Sequence, residues 1–219
     1  MWLYRVNLLV APATRWFWRV EVHGAEHAGV SGPLIVAANH ASYMDPWFVG
    51  GFFPRRPVRF LINEPWFRRS PLWTAAFRSL GVVPADAKDP LATVQRVVAA
   101  LREGATVAIF PEGRISRDGS VGSGRPGIGR IAAESGAPVV PCGIRGTYES
   151  LPRHRWVPRR STVELHLGRP LFFPGAPTPF PSRGEVGAFV DRVMASIADL
   201  AARPSVWNTS RALTAKEAP

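Results

Sequence analysis

Apolar residues in this chain fall into short runs separated by punctuated turns, and runs of strand period alternate with runs of helix period. Pro33-Leu-Ile-Val-Ala-Ala38, bounded by Ser31-Gly32, predicts a buried strand. Pro46 to Phe53 predicts a short helix opened by proline, and Val58 to Ile62 a second strand. Pro71 to Leu80 suits a helix closed by Gly81, followed by a brief strand at Val82-Val-Pro84. After Asp89-Pro90, the residues Leu91, Val94, Val97, Val98 and Leu101 recur along one helical face until Gly104. Ala105 to Phe110 is the next buried strand and runs straight into Pro-Glu-Gly. A Gly-rich, charged loop from Gly113 to Gly127 leads to a helix at 128–135 and a strand from Pro138 to Ile144. Thr162 to Leu167 alternates, which puts Glu164 and His166 on its polar side and predicts both at the surface. A Pro-rich connector, Pro174 to Pro181, enters a last helix from Ser182 to Ala202. Strands alternating with helices predict one α/β domain, a mixed and mostly parallel sheet flanked by helices, with loops gathered at strand ends.

The N-terminus changes that picture. Met1 to Arg19 is apolar and aromatic, but Arg5, Pro12, Arg15 and Arg19 break it short of the ~20 residues a spanning helix needs. It is expected to lie in the plane of a membrane interface, with Trp2, Tyr4, Trp16, Phe17 and Trp18 at headgroup level; an ordinary core helix accounts for the segment equally well. Ala11-Pro-Ala13 only loosely resembles a secretory cleavage site. The expected organisation is an interfacial segment at 1–20, a domain at 21–203 and a loose tail at 204–219.

Composition narrows the class. A chain of 219 residues, 46% hydrophobic, can bury one sizeable core. Its 27 basic residues, 25 of them arginine, outnumber 16 acidic ones, a bias that suits phosphate groups and other anionic partners but also follows from nucleotide composition in the source genome, so charge alone does not choose. Arg55-Arg-Pro-Val-Arg59 and Pro65-Trp-Phe-Arg-Arg69 interleave cations with aromatics, a texture of lipid-headgroup and nucleic-acid surfaces alike. Neither zinc-finger spacing nor an aromatic RNP-type strand accompanies them, so no nucleic acid is expected. The single Cys142, in an apolar run, excludes a disulfide framework and a Cys-rich zinc site.

The chemistry gathers at two strand ends. Asn39-His-Ala-Ser-Tyr-Met-Asp45 follows the first strand, and a turn there can fold Asp45 back onto His40, fixing the tautomer and leaving the second ring nitrogen as a base. From spacing alone, Asp45 as a cap of the Pro46 helix is the more economical account. Phe110-Pro-Glu-Gly-Arg-Ile-Ser-Arg117 delivers Glu112 onto a glycine turn beside Arg114 and Arg117, a set suited to an anion or a polar substrate. Gly122 to Gly127 matches a dinucleotide fingerprint by letter, but no strand leads directly into it. It reads first as a flexible loop, whose Arg125 could meet a phosphate. Asp86, Lys88 and Asp89 could line the same site or simply be solvated. No Gly-x-Ser-x-Gly elbow and no His-Glu-x-x-His pair occurs.

Together these stretches resemble the glycerolipid acyltransferases typified by lysophosphatidate acyltransferase. The first block of that family, Asn-His-x-Ser-x-x-Asp, is matched at Asn39, His40, Ser42 and Asp45. The third, Phe-Pro-Glu-Gly followed by Thr-Arg-Ser, is matched at Phe110 to Gly113 and at Ser116, with Arg114 and Ile115 at the variant positions. The fourth, an apolar pair before proline, is matched by Val139-Val140-Pro141. The second keeps Gly81, but Ala87 replaces its arginine, with Lys88 adjacent. The resemblance implies acyl transfer from acyl-CoA or acyl carrier protein to the hydroxyl of a lysophospholipid, with 1-acyl-sn-glycerol-3-phosphate as the leading acceptor. It implies His40 as base oriented by Asp45, and Glu112 and Gly113 at the glycerol part. Arg114, Arg117 and Lys88 would face the phosphate, and Pro141 would complete the site. No cofactor and no metal are implied beyond the acyl donor. The expected location is the cytoplasmic face of the cell membrane, held peripherally.

Overall fold

Strand β2, Leu34–Ala38, is buried along its whole length, as an apolar run without alternation must be when both faces of a sheet are covered. The computed structural model describes residues 13–53 and 56–203. Within them β2 is the fourth strand of a seven-stranded sheet. The others are β1 (Arg19–His23), β3 (Val58–Asn63), β4 (Val83–Ala85), β5 (Thr106–Ile109), β6 (Val139–Arg145) and β7 (Thr162–Leu167). Their spatial order is β1-β7-β6-β2-β5-β3-β4. All neighbours are parallel except β6 and β7, so β1 and β7 run against the other five strands.

The helices are α1 (Asp45–Phe52), α2 (Glu64–Phe67), α3 (Pro71–Ser79), α4 (Pro90–Arg102), α5 (Gly127–Ser135), α6 (Thr147–Ser150) and α7 (Arg183–Ala202). Two apolar layers result. Ile35 and Ala37 of β2 face α4, α5 and α7, while Leu34, Val36 and Ala38 face α1. Helix α4 buries Val94, Val97, Val98 and Leu101 as its period predicts, and the Asp89 carboxylate caps it by accepting from the Ala92 N–H at 2.9 Å. Leu91, on the expected apolar stripe, is exposed instead because it sits in the first turn, beyond the edge of the layer. Helix α7 opens with a capping box between Ser182 and Glu185.

Strand β1 and the short helices α2 and α6 carry too weak a local period to be read from sequence. Residues 13–17 are helical, but 19–23 form β1, so the chain is already part of the sheet where an interfacial helix was expected to end. The first twelve residues and the tail after 203 lie outside the described residues, so most of the expected interfacial segment is not placed. Among the described residues no helix is long and apolar enough to cross a membrane.

One expectation fails outright. Glu164 and His166 are buried, not exposed. The alternation of β7 is real, with Val163, Leu165 and Leu167 facing the α1 layer, but the polar side meets protein rather than water. Gly143, opposite His166 in the β6 ladder, has no side chain and lets the C-terminal turn of α7 press onto the sheet there; a Cβ would run into the Ala201 nitrogen. On the other flank β1 sets His23 beside His166, rings stacked with centroids 4.6 Å apart.

Candidate active site

Strand parity places the histidine. Leu34, Val36 and Ala38 project toward α1, and His40 continues that parity past the end of β2. Ala108 of β5 faces the same layer, and Phe110, two residues on, packs against it. The rings of His40 and Phe110 therefore meet, stacked with centroids 4.1 Å apart and planes 17° off parallel.

The turn after His40 brings the carboxylate back. Asp45 is the first residue of α1, yet it does not cap that helix. Its Oδ2 accepts from the N–H groups of Ala41 and Ser42, at 2.7 and 2.8 Å, and lies 2.8 Å from His40 Nδ1. Asp45 is fully buried, and three donors on one oxygen are what makes a buried carboxylate tolerable. An ionised carboxylate can only accept, so Nδ1 carries the ring proton and Nε2 keeps its lone pair. No described residue bonds Nε2, and the side chain keeps 16% exposure.

The remaining residues of this block hold the turn. Asn39 copies a peptide: its Nδ2 donates to the Ile144 carbonyl at 3.0 Å and its Oδ1 accepts from the Ile144 N–H at 2.7 Å, extending the β2–β6 ladder past Ala38. Ser42 Oγ donates to the Leu151 carbonyl at 2.7 Å and accepts from the Met44 N–H at 3.1 Å.

The Phe-Pro-Glu turn grips His40 from the other side. Glu112 Oε1 accepts from the His40 N–H at 3.0 Å, and the Ser116 N–H donates to the His40 carbonyl at 2.7 Å. The Gly122 main chain is a second donor to Glu112. Burial pushes the Glu112 carboxyl above its ordinary range, opposed by those two main-chain bonds. Gly113 holds φ at +65°, and the Arg125 side chain lies across it; a Cβ there would come within 2.6 Å of Arg125 Nε.

Other predicted residues sit farther out. Arg114 and Arg117 are exposed on either side of Ile115 and Ser116, and neither is ion-paired to a described acid. Lys88 follows β4, three strands from β2 and so roughly 14 Å away at ~4.8 Å per strand. Pro141 is buried within β6, in register with Ala37. Its carbonyl accepts from the Gly168 N–H at 2.8 Å, so its missing N–H falls on the β7 side, where that ladder ends at Cys142 and Leu167. Sequence reading undervalued Phe110, Gly122 and Arg125. Parity with Ala108 was available for the first; loop closure, which brings the other two in, was not. Among the described residues no three His, Cys, Asp or Glu side chains converge as a metal site.

With this geometry in view, residues 19–145 match the family model described as Acyltransferase. The chain belongs to the acyltransferase family. The crystal structure of a 1-acyl-sn-glycerophosphate acyltransferase, PlsC, from Thermotoga maritima superposes with a TM-score of 0.73 at 30% identity, covering 93% of this chain and 81% of that one. A 1-acyl-sn-glycerol-3-phosphate acyltransferase of Pseudomonas aeruginosa is 28% identical over 85% of this chain and 73% of its own length. A chloroplastic one from Arabidopsis thaliana is 31% identical over 62% of this chain. The chain spans only 38% of that plant protein and about half of other plant and algal relatives. The acyltransferase match takes in His40, Asp45 and Glu112 and stops at Arg145.

Proposed function

We propose that this acyltransferase-family protein moves a fatty acyl group from the thioester of acyl-CoA or acyl carrier protein to the hydroxyl of a lysophospholipid, with 1-acyl-sn-glycerol-3-phosphate as the leading acceptor and phosphatidate as product. One observation carries the reading: a buried Asp45, fixed by two main-chain N–H groups, orients His40 so that only Nε2 faces outward. In the reaction, Nε2 takes the acceptor's hydroxyl proton as its oxygen attacks the thioester carbonyl carbon. The C–S bond then breaks, and the thiolate leaves with little need of an acid; the imidazolium returns its proton to the thiolate or to water.

Glu112 enters as the residue that fixes the main chain under His40. Its two oxygens offer more lone pairs than its two main-chain donors use, so a glycerol hydroxyl can bond it while both of those bonds are kept. Arg114, Arg117 and Arg125 supply cations for the acceptor's phosphate, with Lys88 at longer reach. The enzyme works from the cytoplasmic face of the membrane, held there peripherally. Acyl-CoA with purified protein and a panel of lysolipids tests this: thiol should appear fastest with lysophosphatidate, and thiol release that is indifferent to acceptor, or unchanged in His40→Ala, overturns it. The substitutions at Arg114, Ile115 and Ala87 favour a second reading, the same chemistry on another lipid acceptor, and the same panel ranks the two.

A further inference from the structure

Pro152-Arg-His-Arg-Trp-Val-Pro-Arg-Arg160 links α6 to β7 and lies wholly beyond the family match. Its base is stapled: the Arg159 N–H donates to the Ser150 carbonyl at 2.9 Å, and Ser150 Oγ donates back to the Arg159 carbonyl at 2.9 Å. The residue just before it, Leu151, accepts from Ser42 of the catalytic turn at 2.7 Å. At its far end Arg160 crosses to the N-terminal segment, bonding the carbonyls of Trp16 and Phe17 at 3.0 and 3.1 Å, with its guanidinium 5.4 Å from the Trp16 ring centroid. Between these ties the apex turns outward, leaving Trp156 95% and Val157 75% exposed. Arg153, Arg155, Arg159 and Arg160 form no ion pair with a described acid.

The topology says where this apex points. Strands β2, β3 and β6 end at the His40 edge, and β1 and β7, running the other way, begin there. Of the eight exposed aromatic residues among those described, six follow or precede those strand ends: Trp16, Tyr43, Trp47, Trp66, Trp73 and Trp156. Only Phe172 and Phe180 lie at the opposite edge. Aromatics collected on the catalytic edge, with an outward Trp-Val tip among unpaired arginines, match the chemistry of an anionic bilayer interface: apolar just below a layer of negative charge.

We propose that loop 152–160 is a membrane anchor, in which Arg153, Arg155 and Arg159 grip anionic headgroups while Trp156 and Val157 enter the interface, holding the His40 edge against the lipid. The proposal rests on the lipid-acceptor reading, but its test uses no acyl donor, so each can fail alone. Cys142 is buried with its thiol pushed up to about 12, so a Val157→Cys protein labels with an environment-sensitive thiol dye at the loop only. The dye should brighten and shift to the blue on mixing with phosphatidylglycerol-containing vesicles, and stay unchanged with pure phosphatidylcholine. In sedimentation with the same vesicles, the double change Trp156→Ala, Val157→Ala should lower partitioning at least about tenfold. Arg153→Gln with Arg155→Gln should lower it about twenty-five-fold at low salt, about fivefold per cation, and flatten its salt dependence. Phe180→Ser should bind as the parent does, and so should His40→Ala. A dye that does not respond, partitioning unaltered by both double changes, or tighter binding to a soluble RNA oligomer than to vesicles overturns the anchor.

Discussion

Two hydrogen-bonded histidine–carboxylate pairs lie among the described residues, and their surroundings separate them. His40 meets Asp45 at 2.8 Å beyond the end of β2; His166 meets Glu164 at 3.2 Å inside β7. In the first, two main-chain N–H groups hold the carboxylate and the outer ring nitrogen has no hydrogen-bond partner among the described residues. In the second, the side chain is 5% exposed, stacked on His23 under the end of α7, with Arg145 Nη1 3.9 Å from the same carboxylate. A pair of this kind becomes a base only where the strand stops and the second nitrogen has an approach. Within the strand it is a buried polar tie.

Exchanging alanine into each pair is the strongest way to break that contrast. His40→Ala should lower thiol release at least about a hundredfold, the lower range for removal of a general base, and should lower stability by about 1–3 kcal/mol, because buried Asp45 loses one of its three donors. His166→Ala should cost stability in the same way, about 1–3 kcal/mol as Glu164 loses its bond and a cavity opens, but should keep release within a few-fold of the parent. Equal losses of turnover would mean the two histidines are not functionally distinct. Asp45→Asn comes next. With the amide oxygen in the place of Oδ2, the Ala41 N–H, the Ser42 N–H and His40 Nδ1 all keep their acceptor, but the charge that stabilises the imidazolium formed in the reaction is gone and the NH2 takes the buried place of Oδ1, so turnover should fall about tenfold to a hundredfold in a folded protein. A Michaelis constant that rose while turnover held would sink the orienting role.

The architecture and the two chemical blocks were legible because local signals agree. Val94, Val97, Val98 and Leu101 share one helical face, Pro33 to Ala38 is uniformly apolar, and a proline opens each of α1, α3 and α4. The fold-back of Asp45 was one of two open readings, because spacing cannot distinguish a carboxylate that caps the helix after it from one that serves the turn before it. Strand β1 was missed because its pairing partner lies 143 positions away, Arg19 against Thr162, and nothing local demands an extended chain. His166 was misplaced for a related reason. Alternation fixes which residues share a face but not what covers it, and here the cover is α7, let in by Gly143.

Glu112→Gln probes the link between the two catalytic blocks. The carboxylate accepts from two main-chain N–H groups, and an amide offers one oxygen to those two donors and sets its own NH2 against the other. If Glu112 braces His40, turnover should fall about tenfold while the Michaelis constant for a short-chain acceptor stays put. A rise in that constant at unchanged turnover would assign the carboxylate to acceptor glycerol instead.

The smallest effect sharpens the buried pair through pH. Burial, more than any other influence, lowers the His166 imidazole from its ordinary 6.5, and the Glu164 bond only partly restores it. Between the folded value and 6.5 the unfolded chain therefore carries more protons, so stability should fall as pH is lowered through that window. Glu112 works the other way: its carboxyl is raised above 4.5, so between 4.5 and the folded value the folded chain holds the extra proton and gains stability on acidification. Urea midpoints measured at closely spaced pH should show His166→Gln flattening the acid-side fall by no more than the ~1.4 kcal/mol per pH unit that one proton allows. Glu112→Gln should steepen it. If His166→Gln leaves the profile unchanged, the imidazole at residue 166 titrates alike in both states, and the burial that separates it from His40 has no electrostatic consequence.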